Sequence, residues 1–185
     1  MGIKLDSDTF FSKKVLIPLG VIAVVAIIII IMVLSGNKKS PLEDVFRLNA
    51  RLTNLSNTIN NYKGALKSSD LRSTSSSLAN ILTSTSSAVT PLTATDEYKK
   101  LSKSATEQIS AEETEQSNTL NTTLENAKLN ATLDRTYARE MSYQVYQLIQ
   151  LEQSTKETTN DESLKTALDS SINNLNASYN DLSNF

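Results

Sequence analysis

The chain has 185 residues, 39% hydrophobic and only 5% aromatic, with 18 Lys+Arg against 20 Asp+Glu and a formal net charge of −2. Without Cys or His it has no disulfides, thiolate nucleophiles, zinc ribbons, Ser-His-Asp triad or histidine metal ligands. Its 4 Gly form neither GxGxxG nor GxxxxGK[ST], and its charge gives no electrostatic case for nucleic acid.

Residues 1–14 read as a short N-terminal tail, and residues 15–34 as a transmembrane helix. The run from Val15 to Leu34 is apolar and uncharged. At the rise of an α-helix it spans about 30 Å, the hydrocarbon thickness of a bilayer. A helix satisfies its own backbone in lipid, which overrides the strand preference of so many β-branched residues. Pro18 falls in the first turn, where its missing N–H costs little. Lys13 and Lys14 bound one end, Lys38 and Lys39 the other, with Phe10 and Phe11 suited to the interface. Two other readings are a cleaved signal peptide ending near Val33-Leu34-Ser35, for which the run is too long, and a buried core helix. No GxxxG asks the anchor to dimerise, and Asp6 stands where a myristoylation motif needs a hydroxyl. Basic residues on the two sides nearly balance. The long polar C-terminal part therefore decides the expected orientation: a signal-anchor, tail inside and domain outside.

Residues 35–40 form a linker, and residues 41–185 a helical domain. Ser40-Pro41-Leu42-Glu43 is a helix start, with Ser40 capping and Glu43 completing a capping box. Val45, Leu48, Leu52, Leu55, Ile59, Tyr62 and Leu66 then follow a coiled-coil heptad seam, weakened near its end by Gly64. A second helix from Ser69 to Thr90 buries Leu71, Leu78, Leu82 and Val89 and ends at Pro91; a Ser/Thr-rich linker is the alternative. A third segment from Asp96 to Leu129 carries Tyr98, Leu101, Ala105, Ile109, Leu120, Leu124 and Ala127. Its stretch from Ser110 to Asn118 is nearly without apolar side chains, either helix or break. A fourth helix starts near Leu133 with Tyr137, Met141, Val145, Leu148 and Leu151. After a turn at Thr158-Asn160-Asp161, a fifth carries Leu164, Leu168, Ile172, Leu175, Tyr179 and Leu182. No segment keeps a two-residue period for long. The fold class is all-α: a single N-terminal transmembrane helix followed by an antiparallel up-down bundle with a thin core. Each large buried side chain adds about 2 kcal/mol.

Leu133-Asp134-Arg135-Thr136-Tyr137 with Met141 resembles the Phe-Asp-Arg-Ala-Tyr…Met helix of bacterial ferritin-like domains of unknown function. Asp161-Glu162-Ser163-Leu164-Lys165, Ile172 and Leu175 resemble that family's last helix. The resemblance covers residues 133–185. It implies a four-helix bundle, often secreted or membrane-attached, with inward His and Glu on some members. Here the family's His positions fall on Val145 and Ser178, so the paired Glu-x-x-His of a di-metal site is absent.

Carboxylates alone can act as acid and base or hold a hard cation. Glu112, Glu113 and Glu115 are the densest cluster, read as a solvated helix surface; Asp161-Glu162 reads as a complement to a helix dipole. Tyr143 and Tyr146, with Gln144, Gln147 and Gln150 interleaved, mark a possible interaction surface or bundle packing with hydroxyls at the rim. Arg135 and Arg139 read as surface residues paired to nearby acids. The Asn-x-Ser/Thr acceptors at Asn54, Asn121, Asn130 and Asn176 are expected by chance at this composition. No catalytic, cofactor or metal residues are assigned.

The expected function is a non-catalytic binding or cell-envelope structural role for a bundle held at the membrane, with the lipid bilayer and an unidentified protein as partners. The alternatives are a sensory or ligand-binding bundle signalling through a partner, and a metal-handling ferritin-like protein.

Overall fold

The computed structural model describes residues 40–185; the tail, the proposed membrane helix and most of the linker lie outside the described residues. Five helices make up the described part: α1 (Pro41–Tyr62), α2 (Ser69–Thr93), α3 (Lys103–Leu129), α4 (Leu133–Thr158) and α5 (Glu162–Ser183). Short 3-10 turns stand at Lys63–Ala65 and Tyr98–Lys100. The all-α reading holds for these residues, and no helix among them is long and apolar enough to cross a membrane.

The starts and stops follow from local chemistry, with some corrections. Ser68 caps α2 by accepting from Leu71 N, Ser102 caps α3 by accepting from Ala105 N, and Asp161 caps α5 by accepting from Ser163 N and Leu164 N. The expected Ser40 side-chain cap is absent. The Ser40 carbonyl takes the N–H groups of Glu43 (2.8 Å) and Asp44 (3.3 Å) instead, and Pro41 has no N–H to satisfy. Pro91 does not end α2, which runs on to Thr93. The ring removes only the bond to the carbonyl four residues back, and burial of Val89 holds the turn in place. The third segment is helical from Lys103 rather than Asp96, and the stretch from Ser110 to Asn118 is continuous helix. That helix closes in a Schellman motif. Thr132 N donates to Ala127 O (2.9 Å), Ala131 N donates to Lys128 O (3.3 Å), and Ala131 takes the left-handed φ of 57° that glycine normally fills.

Sequence neighbours run antiparallel. Thr90 near the end of α2 bonds Asn49 near the start of α1, and Lys156 in the last turn of α4 pairs with Asp169 of α5. α1 and α3 run parallel, since Arg47 meets Glu112 and Tyr62 meets Asn121. α1, α2, α5 and α4 form a four-helix ring in that spatial order, and α3 lies along the outer edge between α1 and α4. The domain is thus a four-helix bundle with a fifth helix docked on its side.

The α1 seam is buried along its whole length from Val45 to Leu66, as are Leu71, Leu78, Leu82 and Val89 of α2. The last two helices differ from expectation in register. On α4 the seam continues Met141, Val145, Leu148, Glu152, Thr155, with Leu151 only partly buried. On α5 it runs Leu164, Leu168, Ser171, Leu175, Ser178, Leu182, and Ile172 and Tyr179 flank it. Of the polar side chains at those seam positions, Glu152 and Ser171 bond each other across the helices, and Thr155 bonds the Leu151 carbonyl of its own helix.

Candidate functional site

Three polar constellations lie inside this bundle. The first joins α3 to α1. Arg51 grips Glu113 in two parallel bonds, Nε to Oε2 at 2.7 Å and Nη2 to Oε1 at 2.7 Å. Arg47, one turn earlier, reaches Glu113 at 3.2 Å and Glu112 at 2.7 Å. Asn54 Nδ2 donates to the Glu113 carbonyl, and Thr58 Oγ1 donates to Asn121 Oδ1 further along the same groove. Arg51 and Glu113 are 5% and 2% exposed, so the pair is desolvated on both sides. Burial lowers the proton affinity of Arg47, but the hydrogen bond to Glu112 and the field of Glu113 outweigh it and raise the pKa. The reading of this acidic cluster as a solvated surface is therefore corrected at Glu113, which substitutes an ion pair for the missing apolar contact of the Ser110 to Asn118 stretch. A cavity of about 10 Å³, the room of a single water, lies beside it between Arg51, Asn54, Gln116, Ser117 and Gln144.

The second constellation lies in the seam of α2, α4 and α5. Glu152 is 0% exposed. Its Oε1 is 2.9 Å from Ser171 Oγ, which is 2.8 Å from Thr85 Oγ1; Thr85 Oγ1 also lies 3.0 Å from the Ile81 carbonyl. Glu152 Oε2 has no partner. Burial pushes this carboxyl up to about 8, and the Ser171 hydrogen bond opposes the rise without cancelling it.

The third explains the motif that carried the resemblance. Asp134, second residue of α4, accepts from the backbone N–H groups of Lys67 (3.0 Å) and Ser68 (2.8 Å), tying the α1–α2 connection to the start of α4. Leu133, Tyr137 and Met141 point into the core. The Tyr137 hydroxyl is buried, and burial pushes its pKa to about 12, with the nearby Ser75 hydroxyl opposing the rise. Arg135 is exposed, and Arg139 pairs with its neighbour Glu140. Val145 and Ser178, where the family's His residues would fall, are both buried. Among the described residues, no group of three or more acidic, His or Cys side chains is placed to hold a metal.

The two tyrosines singled out from the sequence face different surroundings. Tyr143 is half-buried, accepts from Gln147 Nε2 at 2.7 Å and feels the charge of Arg51. Tyr146 is 49% exposed, with its ring 6.1 Å from that of Tyr179 on α5. Sequence reasoning missed Glu113 and Glu152 as interior groups. The signal was spacing: Ile109, Glu113, Leu120 and Leu124 share one stripe, and Glu152 continues the stripe of Val145 and Leu148 by four residues. Compared with known proteins, the chain matches no family, no curated protein and no solved structure.

Proposed function

We propose that this chain is a single-pass membrane protein whose residues 41–185 form a non-catalytic bundle displayed outside the cytoplasm, in a binding or envelope-structural role. The observation that carries the reading is the uncharged run from Val15 to Leu34, bounded by Lys13-Lys14 and Lys38-Lys39 and followed at Pro41 by a folding unit. The interior carboxylates favour structure over chemistry: Glu113 is committed to two arginines, and Glu152 lies beyond the reach of a substrate. Binding then belongs to the outer surface, where Tyr146 with Tyr179 offers exposed aromatic area and the half-buried Tyr143 lies within the field of Arg51. The ferritin-like relationship forms part of the same reading, as a bundle without the metal site.

The test is protease added to intact cells or spheroplasts, at a dose that digests the detergent-solubilised protein. The reading expects the C-terminal domain to be cut. It is overturned if that domain survives while a known external control is digested.

A further inference from the structure

We propose that Glu152 is a proton switch in the seam of α2, α4 and α5: as the neutral acid it closes a chain of hydrogen bonds through Ser171 and Thr85, and as the carboxylate it drives that end of the bundle to open to water. The argument begins with counting protons. Three contacts link Glu152 Oε1, Ser171 Oγ, Thr85 Oγ1 and the Ile81 carbonyl, at 2.9, 2.8 and 3.0 Å. Each contact needs one hydrogen. Two hydroxyls supply two, and the carboxylic acid supplies the third. With Glu152 neutral, the acid donates to Ser171, Ser171 to Thr85, and Thr85 to the carbonyl of its own helix. With Glu152 ionised, Ser171 turns to donate to the carboxylate. Thr85 must then choose between Ser171 and Ile81, and one contact is lost. The charge would also rest on a carboxylate that is 0% exposed and whose Oε2 has no partner.

Among the described residues, nothing nearby offsets that charge. α2 carries no charged residue between Arg72 and Asp96, so it presents only Thr85. On α5, Asp169 is paired with Lys156 of α4, and Lys165 with Glu162. On α1, Asp44 is bonded by Ser154 of α4, Glu43 is a further anion beside it, and Arg47 is engaged by Glu112 and Glu113. Glu157 on α4 adds another anion. Burial and the Ser171 hydrogen bond are the causes that set the proton affinity of Glu152, with no cation among them. The sign follows: the folded seam binds a proton that the opened chain has released, so closure weakens as pH rises from the ordinary carboxylate range to about 8 and levels off above it.

The test uses the full chain in a mild non-ionic detergent. Amide hydrogen exchange, corrected for intrinsic rates, is followed in peptides covering residues 148–158 and 164–175. Protection is expected to fall by up to about tenfold per pH unit between about pH 5 and 8 in the wild type, and to stay flat in Glu152→Gln. Carbon-13 labelling of the Glu carboxyls is expected to show one that titrates near 8. Equal pH slopes in the two proteins would overturn the proposal, as would titration of every Glu carboxyl in the ordinary range. Should Glu152→Gln fail to fold, the wild-type carboxyl titration decides alone.

Discussion

Glu113 carries a charge into a groove between helices, and its value to the fold depends on keeping both partners. Removing one member of a buried pair strands the other, at a cost of about 3–5 kcal/mol; replacing both with apolar groups of similar size is near neutral. Glu113→Ala leaves Arg51 buried at 5% exposure with its two short bonds gone. Urea unfolding followed by circular dichroism should therefore show a loss of about 3 kcal/mol for Glu113→Ala. The double change Arg51→Met with Glu113→Leu should recover most of it, since Arg47 keeps Glu112. If the double variant is as unstable as the single one, the charge pair is not what secures this contact. The same residue marks a boundary on what a sequence discloses. Its residue type pointed to a solvated face, although the helical spacing of Ile109 and Leu120 sets it on the inner stripe. Its neutraliser was not legible, because Arg51 lies 62 residues earlier and meets it only after α1 and α3 have docked.

At the scale of the element, helix ends show how far local rules reach. Ser102 and Asp161 cap as their residue types require, because the bond closes within three residues. Ser40 does not: its carbonyl takes the Glu43 N–H, the group three residues on that a capping hydroxyl would serve. The end of α3 holds a non-optimal residue: the left-handed position of its Schellman motif is Ala131, at φ 57°. A Cβ there costs about 1 kcal/mol or more. Ala131→Gly should raise stability by about 1 kcal/mol, read as a higher thermal midpoint with unchanged helical signal. A lower midpoint would mean that the extra freedom of glycine in the unfolded chain outweighs the strain relieved. The seams of α4 and α5 drifted from the expected residues for a related reason. Counting only apolar side chains selects Leu151, Ile172 and Tyr179. The helical period selects Glu152, Ser171 and Ser178, and hydrogen bonding makes two of these three tolerable inside.

Among the described residues, the core is a single cluster to which all five helices contribute, so damage to one seam should be felt by all. Leu175 on α5 is 0% exposed, while the adjacent Asn174 is exposed. Leu175→Asp places an unpaired carboxylate in the bundle, a cost of several kcal/mol against a total stability of about 5–15 kcal/mol. The cooperative thermal transition should be lost in Leu175→Asp and barely shifted in Asn174→Asp. Equal, small effects at both positions would refute the packing of α5 described above. The number of helices and the order of their buried faces were legible from periodicity. The docking of α3 outside a four-helix ring was not, because its few apolar positions suit the edge of a bundle as well as its centre.

Because each successive helix reverses direction and their number is odd, α1 and α5 point the same way. Chain entry at Pro41 and exit at Ser183 therefore lie at opposite ends of the bundle, separated by about the 33 Å that a 22-residue helix spans. A tension applied between those two points runs along the helix axes. α1 and α5 are linked through α2 and α4, so the pull loads the intervening seams in shear, with many side chains resisting together. An even number of helices would place both attachment points at one end, and the same pull would peel the helices apart turn by turn. The connectivity thus sets the direction in which a pull between the two ends would load the packed seams.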